Sequence, residues 1–111
     1  MLEGLGNNLE RYMNLVSARQ KLVSSNLANA DTPGYKTQDI DFKSEFESLI
    51  GSEPATVNVA GLASKNDGNN VSVDREARLL AENALRFSIA TSLVRGQISQ
   101  IRAAIQDGKS A

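Results

Sequence analysis

The sequence contains no cysteine, no histidine and no tryptophan. Without cysteine there is no disulfide, no thiolate metal site and no thiol nucleophile. Without histidine the usual general base and the commonest metal ligand are both missing. A Ser-His-Asp triad is therefore excluded, although Ser24 and Ser25 sit side by side. No GxxxxGK[ST] or GxGxxG loop is present to cradle a phosphate. Three Phe and two Tyr are all the aromatics there are, so the core is not aromatic-anchored. The formal net charge is −1, which denies the chain the basic footprint that nonspecific binding to nucleic acid or anionic membrane needs. No run reaches the roughly 18 apolar residues of a membrane span. The opening Met1-Leu2-Glu3-Gly4-Leu5-Gly6 has neither the basic nor the apolar region of a secretory signal. A soluble cytoplasmic protein reads this way, and so does one exported by another route. The inventory points away from an enzyme, a cofactor, a metal and a small-molecule substrate.

What is present is helical patterning. At 111 residues one domain is expected, spanning 1–111 and only marginally stable alone. Leu9, Met13, Val16, Gln20, Val23, Leu27 and Ala30 recur at spacings of 4, 3, 4, 3, 4 and 3, a heptad-like stripe with one polar break at Gln20. Leu5, Tyr12, Leu15 and Leu22 widen it on one flank. Asn7 is the candidate cap, with Glu10 completing an imperfect capping box, so the first helix is expected over 7–30. Pro33 disfavours helix at Thr32. Thr32-Pro33-Gly34-Tyr35 reads as a type II turn, Pro setting the first central residue and Gly supplying positive φ at the second.

The middle, 31–73, is expected to hold this turn, a short helix and an irregular segment. Phe42, Phe46, Leu49 and Ile50 line one face of the short helix, ending at Gly51. Val57 and Val59 alternate with polar or small residues, as do Val71 and Val73, around the turn-rich Lys65-Asn66-Asp67-Gly68-Asn69-Asn70. That pattern suits either a short hairpin or a loop. Asp39 and Asp41 would share a face on a strand, and solvation is the ordinary fate of such a pair. Asp67-Gly68-Asn69-Asn70 lacks the alternating acids and closing Glu of a calcium loop, and is read as a turn.

The third part, 74–107, is expected to be one long helix, with Asp74 as cap, Glu76 favouring its start and Gly108 marking its end. Ala77, Leu80, Ala84, Phe87, Thr91, Val94, Ile98, Ile101 and Ile105 repeat at 3, 4, 3, 4, 3, 4, 3 and 4. Gly96 sits off this seam. Arg86, Arg95 and Arg102 are spread along the helix and read as a solvated or intersubunit polar face. Large apolar residues on such a seam contribute roughly 1.5–3 kcal/mol each when buried, whereas ordering each backbone residue costs about 1–2 kcal/mol. One helix alone does not win, so the terminal helices are expected to pack as a coiled-coil-like core in a mostly α fold. A two-helix pair still leaves wet faces. Either lateral association with other subunits or the Phe42 helix as third member of a monomeric bundle would cover them.

The stretch Ser25-Asn26-Leu27-Ala28-Asn29-Ala30-Asp31-Thr32-Pro33-Gly34-Tyr35 closely resembles the signature S-N-[IL]-A-N-x-x-T-P-G-Y, which ends the first helix in the flagellar rod and hook family. Larger members insert β-rich domains between the terminal helices, and 111 residues leave no room for one. Asp67-Gly68-Asn69-Asn70-Val71-Ser72-Val73-Asp74-Arg75-Glu76 and the following Leu80-Ala81-Glu82-Asn83-Ala84-Leu85-Arg86-Phe87 look like the proximal rod members. The resemblance covers about two-thirds of the chain, and 53–65 adds nothing to it. It implies a structural subunit of the proximal rod, exported unfolded by the flagellar type III apparatus without a cleaved signal. Assembly would then follow in the periplasm, near the MS ring. Its implied neighbours are FliE, FlgC, FlgF, FlgG and the export gate, with self-association through the seam residues Leu9, Met13, Val16, Val23, Leu27, Leu80, Phe87, Val94, Ile98, Ile101 and Ile105. It also implies that Phe42 and Phe46 form the F-x-x-x-[apolar] element read at that gate, although the same spacing is one face of a helix. Other readings are an FlgC-like short rod protein, whose A-N-V-like stretch is not found after Phe87, and a non-polymerising helical adaptor of export.

Overall fold

The computed structural model describes residues 2–48 and 54–110. Two long helices dominate it, α1 (Leu2–Ala28) and α3 (Val73–Ser110). Between them lie a strand β1 (Gln38–Ile40), a short helix α2 (Phe42–Glu47) and a strand β2 (Thr56–Asn58). The molecule is a rod, 72 × 26 × 17 Å.

α1 starts at Leu2 rather than at Asn7. The two early glycines do not stop it, because α3 lies alongside: a Cβ on Gly6 would sit 3.5 Å from the Gln97 side chain. The helix ends where Pro33 requires. Its last carbonyls are met by the chain's own turn, Asn29 N–H reaching Ser25 O at 3.1 Å. Tyr35 N–H then bonds Thr32 O at 3.2 Å, and Gly34 adopts φ 74°. This is the turn that Pro-Gly dictates.

The middle segment pairs differently from the alternation read in the sequence. β2 runs antiparallel to β1, Gln38 opposite Asn58 and Ile40 opposite Thr56. Val71 and Val73 form no strand, and Val73 opens α3. The physical reason is that residues 65–70 are held elsewhere. Lys65 and Asn69 close a tight turn (Lys65 N–H to Asn69 O, 2.8 Å) that docks on the end of α1 instead of joining two strands. β1 presents Asp39 and Ile40 inward, while β2 is exposed throughout.

Asp41 caps α2, accepting from Ser44 N–H at 3.3 Å and Ser44 Oγ at 3.1 Å. α2 lies on α1 through its aromatics. The Tyr12 ring meets Phe42 edge-on at 5.5 Å and Phe46 at 6.3 Å. Leu49, Ile50 and Gly51 fall outside the described residues.

α3 is capped by Ser72, whose Oγ accepts from Arg75 N–H at 3.2 Å, so Asp74 sits inside the first turn and not at the cap. Acidic Asp74 and Glu76 there suit the positive end of the helix dipole. Gly108 does not end the helix, which continues to Ser110. α1 and α3 run antiparallel: Asn26 meets Glu76, Gln20 meets Asn83 and Gly6 meets Gln97. Leu9, Leu15, Val16 and Val23 of α1 are buried with Leu79 and Ala90 of α3.

Candidate assembly surface

Two stretches that define the sequence most sharply, 25–35 and 67–76, meet at one end of the helix pair. Asn26 is the centre. Its Nδ2 donates to Gln38 O at 2.8 Å and to Glu76 Oε2 at 3.2 Å. Its Oδ1 accepts from Gln38 N–H at 3.1 Å and from the Tyr35 hydroxyl at 3.0 Å. The amide therefore imitates a strand partner for Gln38 while tying α1 to α3. Asn29 donates to Ser25 O at 2.8 Å and accepts from Thr32 Oγ1 at 3.0 Å. Pro33 and Gly34 swing the chain so that Gly34 N–H reaches Asp67 O at 2.9 Å. Ala28 is the last helical residue and Ser25 lies outward, its Oγ 3.4 Å from the Tyr35 hydroxyl.

From the other side, buried Asn69 donates to Asn29 O and Thr32 O, each at 2.9 Å, and closes the carbonyl end of α1. Asn70 Oδ1 accepts from Thr37 N–H at 2.6 Å. The Lys65 ammonium adds a bond to Ala30 O at 3.0 Å. These asparagines use amide groups where backbone partners are lacking, which satisfies buried polar groups without a sheet.

Beneath them is an ionic cluster. Asp39 takes Arg19 in a two-pronged pair, 2.9 Å and 2.8 Å, and Arg75 at 2.6 Å. Arg75 also pairs with fully buried Glu76 at 2.6 Å. Burial on its own would raise the Asp39 carboxyl. The hydrogen bonds from Arg19, from Ile40 N–H and from Arg75, with the Arg19 charge, outweigh it and hold the group below its ordinary value of 3.8. Asp41, its sequence neighbour two along, is separately occupied as a helix cap. Arg19, Asp39, Arg75 and Glu76 were not selected by hydrophobic pattern, because charged residues read as exterior in any such scan. The only cue to burial was Glu76 and Arg75 lying within the stretch that resembles the proximal rod members.

The seam residues divide into two groups. Leu9, Val16 and Val23 are buried between the helices, and Met13, Leu27 and Val94 are half-buried. Leu80, Phe87, Ile98, Ile101 and Ile105 stay between 38 and 56% exposed. α3 turns a different stripe to α1: Glu76, Leu79, Asn83, Arg86, Ala90, Val94 and Gln97, displaced by about one residue from the apolar heptad. The polar pairs explain the rotation. Asn26 with Glu76 and Gln20 with Asn83 fix which face of α3 turns inward, and small Ala90 permits close approach. The apolar heptad is left along one edge. A second exposed ridge, Leu85, Ile89 and Leu93, runs along the other edge, partly beside Phe46. Its i, i+4, i+8 spacing was the signal that heptad reading passed over. Phe42 and Phe46 are half-buried against Tyr12, with Arg86 5.7 Å above the Phe42 ring and Arg11 Nη1 donating to Phe46 O at 3.2 Å. Among the described residues no cluster of His, Cys, Asp and Glu could hold a metal ion, and no helix is long and apolar enough to cross a membrane.

A latched pair of antiparallel helices with long uncovered apolar edges defines a helical building block, shaped for lateral contact. A family model described as "Flagella basal body rod protein" matches residues 7–36, which hold most of α1 and the turn below Asn26. The flagellar basal body rod protein FlgB of Yersinia ruckeri is 30% identical, over 96% of this chain and 97% of its own length. The FlgB protein of Escherichia coli K12 is 31% identical over 89% and 91%, and that of Bacillus subtilis 26% over 98% of each. The chain belongs to the FlgB family of flagellar basal body rod proteins. Membership makes it a structural subunit of the flagellar basal body rod, associated with other basal body components.

Proposed function

We propose that this chain is an inert element of the proximal, periplasmic rod, exported through the flagellar type III apparatus. It polymerises through its terminal helices and catalyses no reaction. Its neighbours on this reading are further copies and the FlgC, FlgF, FlgG and FliE proteins near the MS ring. The observation that carries it is the uncovered heptad edge of α3, Leu80, Phe87, Ile98, Ile101 and Ile105, on a helix already latched to α1 by its other face. An apolar edge of that length in water favours association. Mixing the purified chain with FlgC or FliE should raise helicity by circular dichroism and produce larger species in sedimentation. A chain that stays monomeric with unchanged helicity in both mixtures would favour the non-polymerising adaptor.

Phe42 and Phe46 serve, on the same reading, as the element recognised at the export gate while the chain is unfolded. Their packing against Tyr12 half-covers them once α2 has docked. Phe42→Ala with Phe46→Ala should lower secretion severalfold, while separately supplied protein still assembles. Normal secretion of the double variant would remove this role.

A further inference from the structure

α1 and α3 carry apolar stripes of the same period that lie at matching levels and yet do not meet. The Asn26–Glu76 and Gln20–Asn83 contacts fix the level of one helix on the other. Counted from them in antiparallel directions, Val23 lies level with Leu80, Val16 with Phe87 and Leu9 with Val94. The three α1 residues are buried, whereas Leu80 and Phe87 stay exposed. Val94, common to both stripes of α3, is half-buried.

The face that α3 does turn to α1 is a costly one. Glu76 is fully buried and Asn83 is only 2% exposed. Asn83 Nδ2 donates to Gln20 Oε1 at 3.2 Å, but its Oδ1 has no hydrogen-bond partner among the described residues. An apolar face would carry no such penalty. Polar groups buried in a helix seam give up stability and, in return, specify one arrangement among several.

The competing arrangement is one residue away. Neighbouring residues of an α-helix are about 100° apart around its axis. A roll of α3 through that angle replaces Glu76 by Ala77 and Asn83 by Ala84, and carries Leu80 and Phe87 onto Val23 and Val16. It needs no shift along the axis. There is room for it, because Ala84 and Phe87 already border an open groove beside Val16 and Gln20.

We infer that Glu76 and Asn83, with Asn26 and Gln20 opposite them, are a selector. They hold α3 turned away from this rolled packing and so keep Leu80, Phe87 and Ile98 outward for neighbouring subunits. That purpose rests on the rod-subunit reading; the selection itself does not. Without the polar pairs the chain covers its own apolar edge and has little left to offer a partner.

Two alanines report the roll. Ala84 is exposed on the apolar heptad, and Ala90 is 1% exposed on the inward stripe. The chain has no native cysteine, so Ala84→Cys and Ala90→Cys, made singly, each supply one thiol. In the otherwise unaltered chain the thiol at 84 should react with a maleimide more than about tenfold faster than the thiol at 90. Glu76→Ala with Asn83→Ala removes the selector from α3, and the order should invert while helicity is retained. Gln20→Leu, confined to a half-buried position of α1, completes the α1 stripe and should narrow the ratio severalfold. If the double variant loses its helicity, Gln20→Leu decides alone. An unchanged order in a helical double variant overturns the inference, as does an unchanged ratio in Gln20→Leu. Two fast thiols in a helical double variant also overturn it, because the pair then opens instead of rolling. A chain with inverted thiols should fail to restore swimming to a strain lacking the native gene. Inverted thiols with normal swimming overturn the purpose assigned to the selector. Failure of the unaltered chain to restore swimming counts against the rod reading instead, and leaves the thiol result standing.

Discussion

Asn26 makes four side-chain hydrogen bonds to three other segments, and no other residue type of its size can make that set. Asn26→Ala would remove the partners of the Gln38 backbone pair and the Tyr35 hydroxyl at a part-buried site, and take a donor from buried Glu76. The expected loss is about 3 kcal/mol by urea denaturation. Ser25→Ala, at an exposed position with one long contact, should change stability by less than about 0.5 kcal/mol. The stretch 25–35 could be picked out from the sequence as a motif. The reason for Asn26 within it could not, because its partners Gln38 and Glu76 are 12 and 50 residues away. Asp39 offers a second test. Its carboxyl is held below 3.8 in the folded chain, so folding favours the ionised form. The stabilisation is complete above 3.8 and disappears as pH falls through the lower folded value. Asp39→Asn should be less stable at neutral pH, yet its stability should fall less steeply than that of the unaltered chain below 3.8. Parallel acid melting curves would contradict this ion-pair account.

At the scale of elements, the helices were legible and their faces were not. The 3-4 spacing announced α3 over nearly its whole length, and Pro33-Gly34 announced the end of α1. Hydrophobicity then named Leu80 and Phe87 as the inward face, whereas Glu76 and Asn83 take that place because each has a polar partner on α1. Strand pairing was illegible for a related reason. Val57 and Val71 have the right alternation, but Asn69 and Asn70 commit the 65–70 turn to the end of α1 and to Thr37 just before β1, leaving β2 to pair with β1. Gly96 tests whether α3 is limited by its own backbone. A Cβ there would meet nothing within 4 Å, so Gly96→Ala should stabilise the isolated chain by about 0.5–1 kcal/mol in thermal or urea melts. If the same variant associates less readily, the bare backbone at Gly96 is a point of close approach for another copy.

For the whole molecule, 72 Å of length against 17 Å of thickness gives much surface and little interior. Lateral association is the remaining way to bury apolar edges that run along that length. Ile98→Lys with Ile105→Lys alters two exposed positions near the C-terminal end of α3. Helicity and urea midpoint of the isolated chain should hold within about 0.5 kcal/mol. Self-association in sedimentation, and swimming when the variant replaces the native gene product, should be lost. A variant that swims normally would show that this edge is not used in the rod.

The exposed C-terminal part of α3 also makes the protein its own clock. Residues 98–107 are exposed, so the helix there gains little from packing, and its hydrogen bonds open and close far faster than those of a packed helix. In the free chain their hydrogens should exchange with solvent deuterium within the earliest time points, while those around Ala90 and Val23 persist. Capture by a neighbour would slow the same ten amides by orders of magnitude and leave the rest nearly unchanged. Exchange at this one stretch therefore distinguishes a free subunit from an incorporated one, with no label attached to either.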